Sequence, residues 1–173
     1  MPTFKWTPDS VVHLDAKSSA HPIHGEIRGL RGEATVDVQD GKIVPGPGTT
    51  AYIEADTTAL QTGKKLEDIA LRKQIDVKKY PTVRYEVRSA DGGPEAFKIS
   101  GAFTFHGVTQ EFVEEVRATI DNGTLRVEGE HTFDIRDFGV QPFKILTMKI
   151  YPEVHLVVSL VGTEGSGYTP AWG

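Results

Sequence analysis

The chain has 173 residues, enough for one domain with a real core, and its 38% hydrophobic and 25% charged residues make an ordinary globular composition. A net charge of −5 leaves no cationic footprint for nucleic acid, and the absence of cysteine excludes disulfides, thiolate nucleophiles and Cys-based metal sites. No window approaches the ~18 apolar residues of a membrane span. The opening MPTFKWTPDS has no charged stretch followed by an apolar run. The expectation is therefore a cytoplasmic protein, or a periplasmic or secreted one if a leader has been removed.

Taken in order, most of the chain alternates apolar and polar residues at period two, the mark of half-buried strands. Ser10 to Lys17 places Val12, Leu14 and Ala16 on one face. SSAHPIHG reads as a turn-rich link. Glu26 to Val38 reads as a long strand whose parity switches, with Ile27 odd and Ala34, Val36 and Val38 even. Gly29 and Gly32 between them predict a bulge or sharp bend. Asp40-Gly41 marks a tight turn and Pro45 to Gly48 a loop, and Thr49 to Thr57 is the next strand.

Thr57 to Val87 holds the one helical segment. Lys64 to Ile75 is rich in helix formers, with Leu66, Ile69, Ala70 and Lys73 at i, i+3, i+4 and i+7. Thr62 or Gly63 serves as N-cap, and Glu67 and Asp68 near the first turn suit the helix dipole. The Leu66–Ile69–Ala70 stripe is expected to bury itself on a sheet face or across a barrel mouth. Pro81 then pushes Tyr80 out of the helical region and opens a strand.

That strand puts Val83, Tyr85 and Val87 on one face. Asp91 to Pro94 closes a hairpin, and Phe97, Ile99, Gly101, Phe103 and Phe105 share the next face. After the His106-Gly107 turn, Phe112, Val116, Ala118 and Ile120 follow, with Glu114 interrupting. Glu111, Glu114 and Glu115 read as solvated. Asn122-Gly123 is a hairpin signal. Leu125, Val127, His131, Phe133 and Ile135 continue the pattern, and Val154, Leu156, Val158 and Leu160 end it. About eight sequential antiparallel strands with one inserted helix favour an all-β up-and-down barrel, with a two-sheet sandwich as the alternative. The barrel domain is expected over residues 1–162, with a loose Gly-rich tail over 163–173 in which Tyr168 and Trp172 could dock.

Three stretches together resemble the YceI-like family, lipocalin-fold proteins associated with polyisoprenoid binding. The first contains Ala55-Asp56, Thr62-Gly63, Leu71-Arg72 and Lys79-Tyr80-Pro81-Thr82-Val83. The second runs from Gly101 to Thr109, and the third from Phe133 to Val140. The chain departs from the family pattern at Asp9, where a His is usual, and at Glu67-Asp68, where an Arg-Asp pair is usual. The spacing from Arg136 to Phe138 is also compressed by one residue. The resemblance implies a lipocalin-like barrel with an elongated apolar cavity, often in a homodimer, and it carries no catalytic motif.

The candidate chemistry agrees with a non-enzyme. His21 and His24 flank a proline that prevents a helical metal-ligand pair, and no Cys completes a set, so no metal or other cofactor is expected. Asp134, Arg136 and Asp137 read as a surface ion pair at a strand end. No nucleophile elbow, phosphate loop or zinc-binding helix motif is present. The inward residues Leu14, Ile27, Val83, Tyr85, Phe103, Phe105, Phe112, His131, Phe133, Ile135, Leu156 and Val158 are the expected ligand-binding set; His131 reads first as a satisfied core histidine, and second as the one polar group that could orient a head group. The expected function is to bind, carry or sequester an isoprenoid-like or other long-chain lipid. The rivals are an enzyme acting on a small lipophilic substrate and a filled barrel working through protein contacts.

Overall fold

A computed structural model describes residues 2–164. The elements run β1 (Thr3–Trp6), β2 (Val11–Ser18), β3 (Ile23–Ile27), β4 (Arg31–Thr35), β5 (Asp37–Gln39), β6 (Lys42–Val44) and β7 (Thr50–Asp56). Then come α1 (Lys65–Gln74), β8 (Thr82–Gly92), β9 (Ala96–Phe105), β10 (Val108–Asp121), β11 (Thr124–Asp134), β12 (Lys144–Ile145) and β13 (Met148–Glu164). Short 3-10 turns cover Thr57–Ala59 and Ile135–Phe138.

Eight strands close an antiparallel barrel in the order β1-β4-β7-β8-β9-β10-β11-β13, with β13 returning to β1. The expected all-β barrel with one helix is the observed fold. α1 is the only α-helix among the described residues. β13 is long enough to have two partners on one edge: its first half pairs with β2, and Gly162 to Glu164 pair with β1. β3 adds to β2, and a bridge from Glu26 to Gln61 ties it to the segment before α1.

Period-two alternation builds the wall as it should. On β8, Val83, Tyr85 and Val87 face inward while Arg84 pairs with Glu54 and Glu86 outside. The β10–β11 hairpin turns on Asn122 and Gly123, whose φ angles of 50° and 75° are those a tight two-residue hairpin turn needs.

Four local expectations need correction. The switch of parity in the Glu26 to Val38 segment is a break between β3 and β4, not one bulged strand. β3 stays on β2, whereas β4 crosses to pair with β1 and β7. The supposed SSAHPIHG link contains the start of β3. β1, unforeseen in the sequence, supplies the closing seam of the barrel. Ile135 lies in a 3-10 turn, not on the strand that carries Phe133.

The helix departs most. α1 forms where expected, with Glu67 and Asp68 in its first turn and Arg72 and Lys73 in its last. Its buried side, however, is turned away from Leu66 and Ile69; of the expected stripe only Ala70 packs, beside Ile23, Ile145 and Ile150. Leu66 and Ile69 are 67% and 53% exposed, while Leu71 and Ile75 pack inward and Glu67 is buried. Polar ties fix this rotation. The Asp68 carboxylate accepts from the Thr62 backbone N–H at 2.7 Å and from its hydroxyl at 2.8 Å. Arg72 donates to the Leu60 carbonyl at 3.0 Å and Gln74 to that of Gln141 at 2.9 Å. Lys64 occupies the N-cap position with no side-chain cap, and Thr62 acts earlier by accepting from the Lys64 N–H at 3.2 Å.

β13 continues through Thr163 and Glu164, paired with β1. Residues 165–173, which hold Tyr168 and Trp172, lie outside the described residues.

Candidate ligand-binding cavity

The barrel interior is packed at some levels and hollow at others. Phe103, Phe105, Ile135, Phe138 and Val140 form one dense cluster, with Phe138 fully buried and its ring 5.3 Å from those of Phe103 and Phe133. A second cluster of Phe4, Ala34, Val36, Ile43, Phe97, Ala118 and Leu125 fills another level. Between them runs a cavity of about 330 Å³, within the usual range for small-molecule sites. It touches β11 from Leu125 to Phe133, a run of about 26 Å at the ordinary strand rise.

Its walls are almost wholly apolar. Val12 and Leu14 on β2, Ile53 on β7, Val83 on β8, and Leu156 and Val158 on β13 line it, and Leu71 of α1 and Ile75 just after the helix reach in from one side. Among the described residues Arg84 is the only Lys or Arg on its border, and its guanidinium is held by Glu54 at 3.1 Å and stacked over the Tyr52 ring.

Eleven of the twelve expected residues border this cavity: Leu14, Ile27, Val83, Tyr85, Phe103, Phe105, His131, Phe133, Ile135, Leu156 and Val158. Phe112 is inside the barrel but does not border it. The His131 ring lies 4.1 Å from the Phe112 ring and stands in front of it, so Phe112 backs the wall without facing the void.

Of the few polar groups on the border, two are buried and unpartnered among the described residues. His131 holds its Nδ1 against the Glu114 carboxylate, and its Nε2 is buried with no hydrogen-bond partner among the described residues. Tyr85 lays its ring over Gly101; a Cβ there would sit 2.7 Å from the Tyr85 Oη. That hydroxyl is also buried and without a partner. Burial pushes the phenol up to about 12, with the Glu114 charge adding to the shift, so it stays a neutral donor at physiological pH.

Glu114 is the residue the sequence reading missed. Acidic neighbours made it look solvated, yet its parity matches Phe112, Val116 and Ala118, and that parity was the signal that it faces inward. Trp6 on β1 was missed as well; it borders the cavity and donates its indole N–H to the Tyr52 carbonyl at 2.8 Å. Phe138 ends the 3-10 turn and Val140 follows it, where alternation stops, and neither carried a periodic signal.

The other candidates lie apart. Asp134 and Arg136 form an exposed pair at 2.6 Å at the end of β11, and Arg136 holds the Asp134 carboxyl below the usual carboxylate range. His24 is exposed, on β3 instead of in a loop, and pairs with Asp15. Among the described residues, no three His, Asp or Glu side chains converge as a metal site would require, and no helix is long and apolar enough to cross a membrane.

The YceI-like domain matches residues 6–162. Among solved structures, Burkholderia cenocepacia BcnA superposes with a TM-score of 0.74 at 19% identity, over 89% of this chain and 96% of that one. A polyisoprenoid binding domain from Saccharophagus degradans, implicated in plant cell wall breakdown, gives 0.74 at 12% identity, over 95% and 99%. The Campylobacter jejuni YCEI protein gives 0.64 at 15% identity, over 81% and 84%. These likenesses are of fold. No curated protein matches the sequence.

Proposed function

The chain belongs to the YceI-like family, and from that premise we propose that it binds an apolar, isoprenoid-like chain in the barrel and carries or sequesters it without chemical change. The observation that carries this reading is the long apolar cavity, whose lining offers many carbon contacts and few polar ones. A linear hydrocarbon fits that chemistry. At roughly 0.8 kcal/mol per buried CH₂, one isoprene unit contributes up to about 4 kcal/mol, so a few units suffice for tight binding after the loss of chain freedom. The polyisoprenoid binding named for the Saccharophagus degradans domain supports the same ligand class. Transport is the role such a container serves, and the protein acts as a homodimer. The exposed apolar side chains Leu66, Ile69 and Leu146 support self-association.

Native mass spectrometry of gently purified protein tests the reading. A co-purifying long-chain lipid, released on denaturation and chemically unaltered, is the expected result. Protein that emerges empty and takes up no long-chain prenol, fatty acid or amide overturns it. Sedimentation at micromolar concentration tests the dimer, and a 19 kDa species alone rejects it.

A further inference from the structure

A cavity built only to hold hydrocarbon has no use for unpartnered polar atoms, because a buried hydroxyl or imidazole nitrogen without a hydrogen bond costs free energy. Two such atoms stand in this wall, and they belong to the same patch. Tyr85 Oη lies over Gly101, whose missing side chain gives the phenol its place. Gly101 pairs across the ladder with Phe112, and the His131 ring covers Phe112 at 4.1 Å. Tyr85 and His131 therefore approach the same Gly101–Phe112 pair from either side. Glu114 pairs with His131 Nδ1, borders the cavity itself, and adds its charge to the surroundings of Tyr85.

The donor pattern selects the guest. Nδ1 faces the Glu114 carboxylate, so in the neutral ring Nδ1 holds the proton and Nε2 presents a lone pair. Tyr85 presents an O–H. One donor over Gly101 and one acceptor over its ladder partner Phe112 complement a hydroxyl group, which accepts one hydrogen bond and donates another. An anionic head group meets the opposite situation. The Glu114 charge lies close by, and the guanidinium of Arg84 is engaged by Glu54 and Glu86.

We infer that Tyr85 and His131 form a head-group site for a neutral hydroxyl, so that the ligand is a long-chain alcohol or phenol and not a prenyl phosphate. This rests on the carrier reading above. The ligand oxygen accepts from Tyr85 Oη–H and its proton is donated to His131 Nε2, while Glu114 holds the imidazole in the required tautomer as a positioning residue.

The test uses the full chain, stripped of lipid, with three probes of one chain length: geranylgeraniol, its methyl ether and its monophosphate. The alcohol is expected to bind about tenfold tighter than the ether, which has no proton for Nε2, and the monophosphate more weakly than the alcohol. Tyr85→Phe removes a hydroxyl that has no protein partner, so its melting temperature should hold or rise while alcohol affinity falls about tenfold. Glu114→Gln should narrow the gap between alcohol and monophosphate. Equal binding of all three probes, unmoved by Tyr85→Phe, overturns the head-group site and leaves the carrier reading standing. Tightest binding by the monophosphate overturns the choice of a neutral ligand. If none of the three binds, the carrier reading falls and the head-group site falls with it.

Discussion

The aromatic end of the barrel and the aliphatic stretch beside it are made by the same strand alternation, yet one is full and the other hollow. At the aromatic end, Phe103, Phe105, Phe133 and Phe138 bring ring centroids within 5.3–6.3 Å of one another, and the chain folds a 3-10 turn inward so that Ile135, Phe138 and Val140 complete the filling. Along the aliphatic stretch, Val12, Leu14, Ile53, Val83, Leu156 and Val158 stay only partly buried because they border a void that no side chain enters. Alternation decides which side chains point inward. What fills the interior is decided by the size of those side chains and by segments, such as the turn after β11, that fold across the barrel.

The largest effect should come from emptying the full end. Phe138→Ala removes a fully buried ring and is expected to cost about 3–5 kcal/mol in a urea melt. A loss below about 1 kcal/mol would mean that the aromatic end is not the packed anchor described here. Next comes filling the hollow end. Val158 faces the void opposite Gly129, which has no side chain to collide with. Val158→Phe should leave stability within about 1 kcal/mol of the parent, instead of the roughly 1–3 kcal/mol that overpacking a dense core costs, and should abolish lipid uptake. The matching change in the packed cluster, Val140→Phe, should destabilise by that larger amount.

A subtler effect measures whether the void is dry. Tyr85 keeps its proton to about pH 12 in the folded protein, against 10.0 for an ordinary phenol. The folded state therefore binds more protons than the unfolded one above pH 10. Stability is full below that point and falls as pH rises toward 12. A tyrosine that resists ionisation until about pH 12 by ultraviolet titration, and disappears in Tyr85→Phe, shows a dry wall; titration of all five tyrosines near 10 shows a flooded one. The smallest effect belongs to the outer surface. Arg136→Ala breaks the exposed pair with Asp134 and should leave the melt and lipid binding unchanged within error.

Strand faces were the most legible part of the chain. Where apolar residues recur at every second position, as from Phe97 to Phe105 or Val154 to Leu160, both the strand and its inward side could be read directly. The helix shows why the same reasoning failed elsewhere. Leu66 and Ile69 formed the more obvious stripe, but the hydrogen bonds of Asp68 to Thr62 and Arg72 to Leu60, just before the helix, and of Gln74 to distant Gln141 fix its rotation. Apolar periodicity carries no sign of such polar ties. Glu114 failed for a different reason: its parity pointed inward, its charge argued for solvent, and the counterpart that resolves the conflict, His131, is on the neighbouring strand. β1 was hidden because four residues are too few to show a period.

That short strand has a kinetic consequence. The ring closes where Phe4 meets Glu164, 160 residues apart in the chain, through three paired positions. Every other ladder of the ring except β1–β4 joins consecutive or nearly consecutive segments, so β1–β13 contacts must await the collapse of almost the whole chain. A seam that forms last and rests on few pairs opens at low cost, and amide exchange should be fastest there among the ring ladders. Trp6 sits on that seam and on the cavity border. Opening of those three pairs would therefore bare the cavity from its side, at the β1–β13 edge, and not at an end of the barrel.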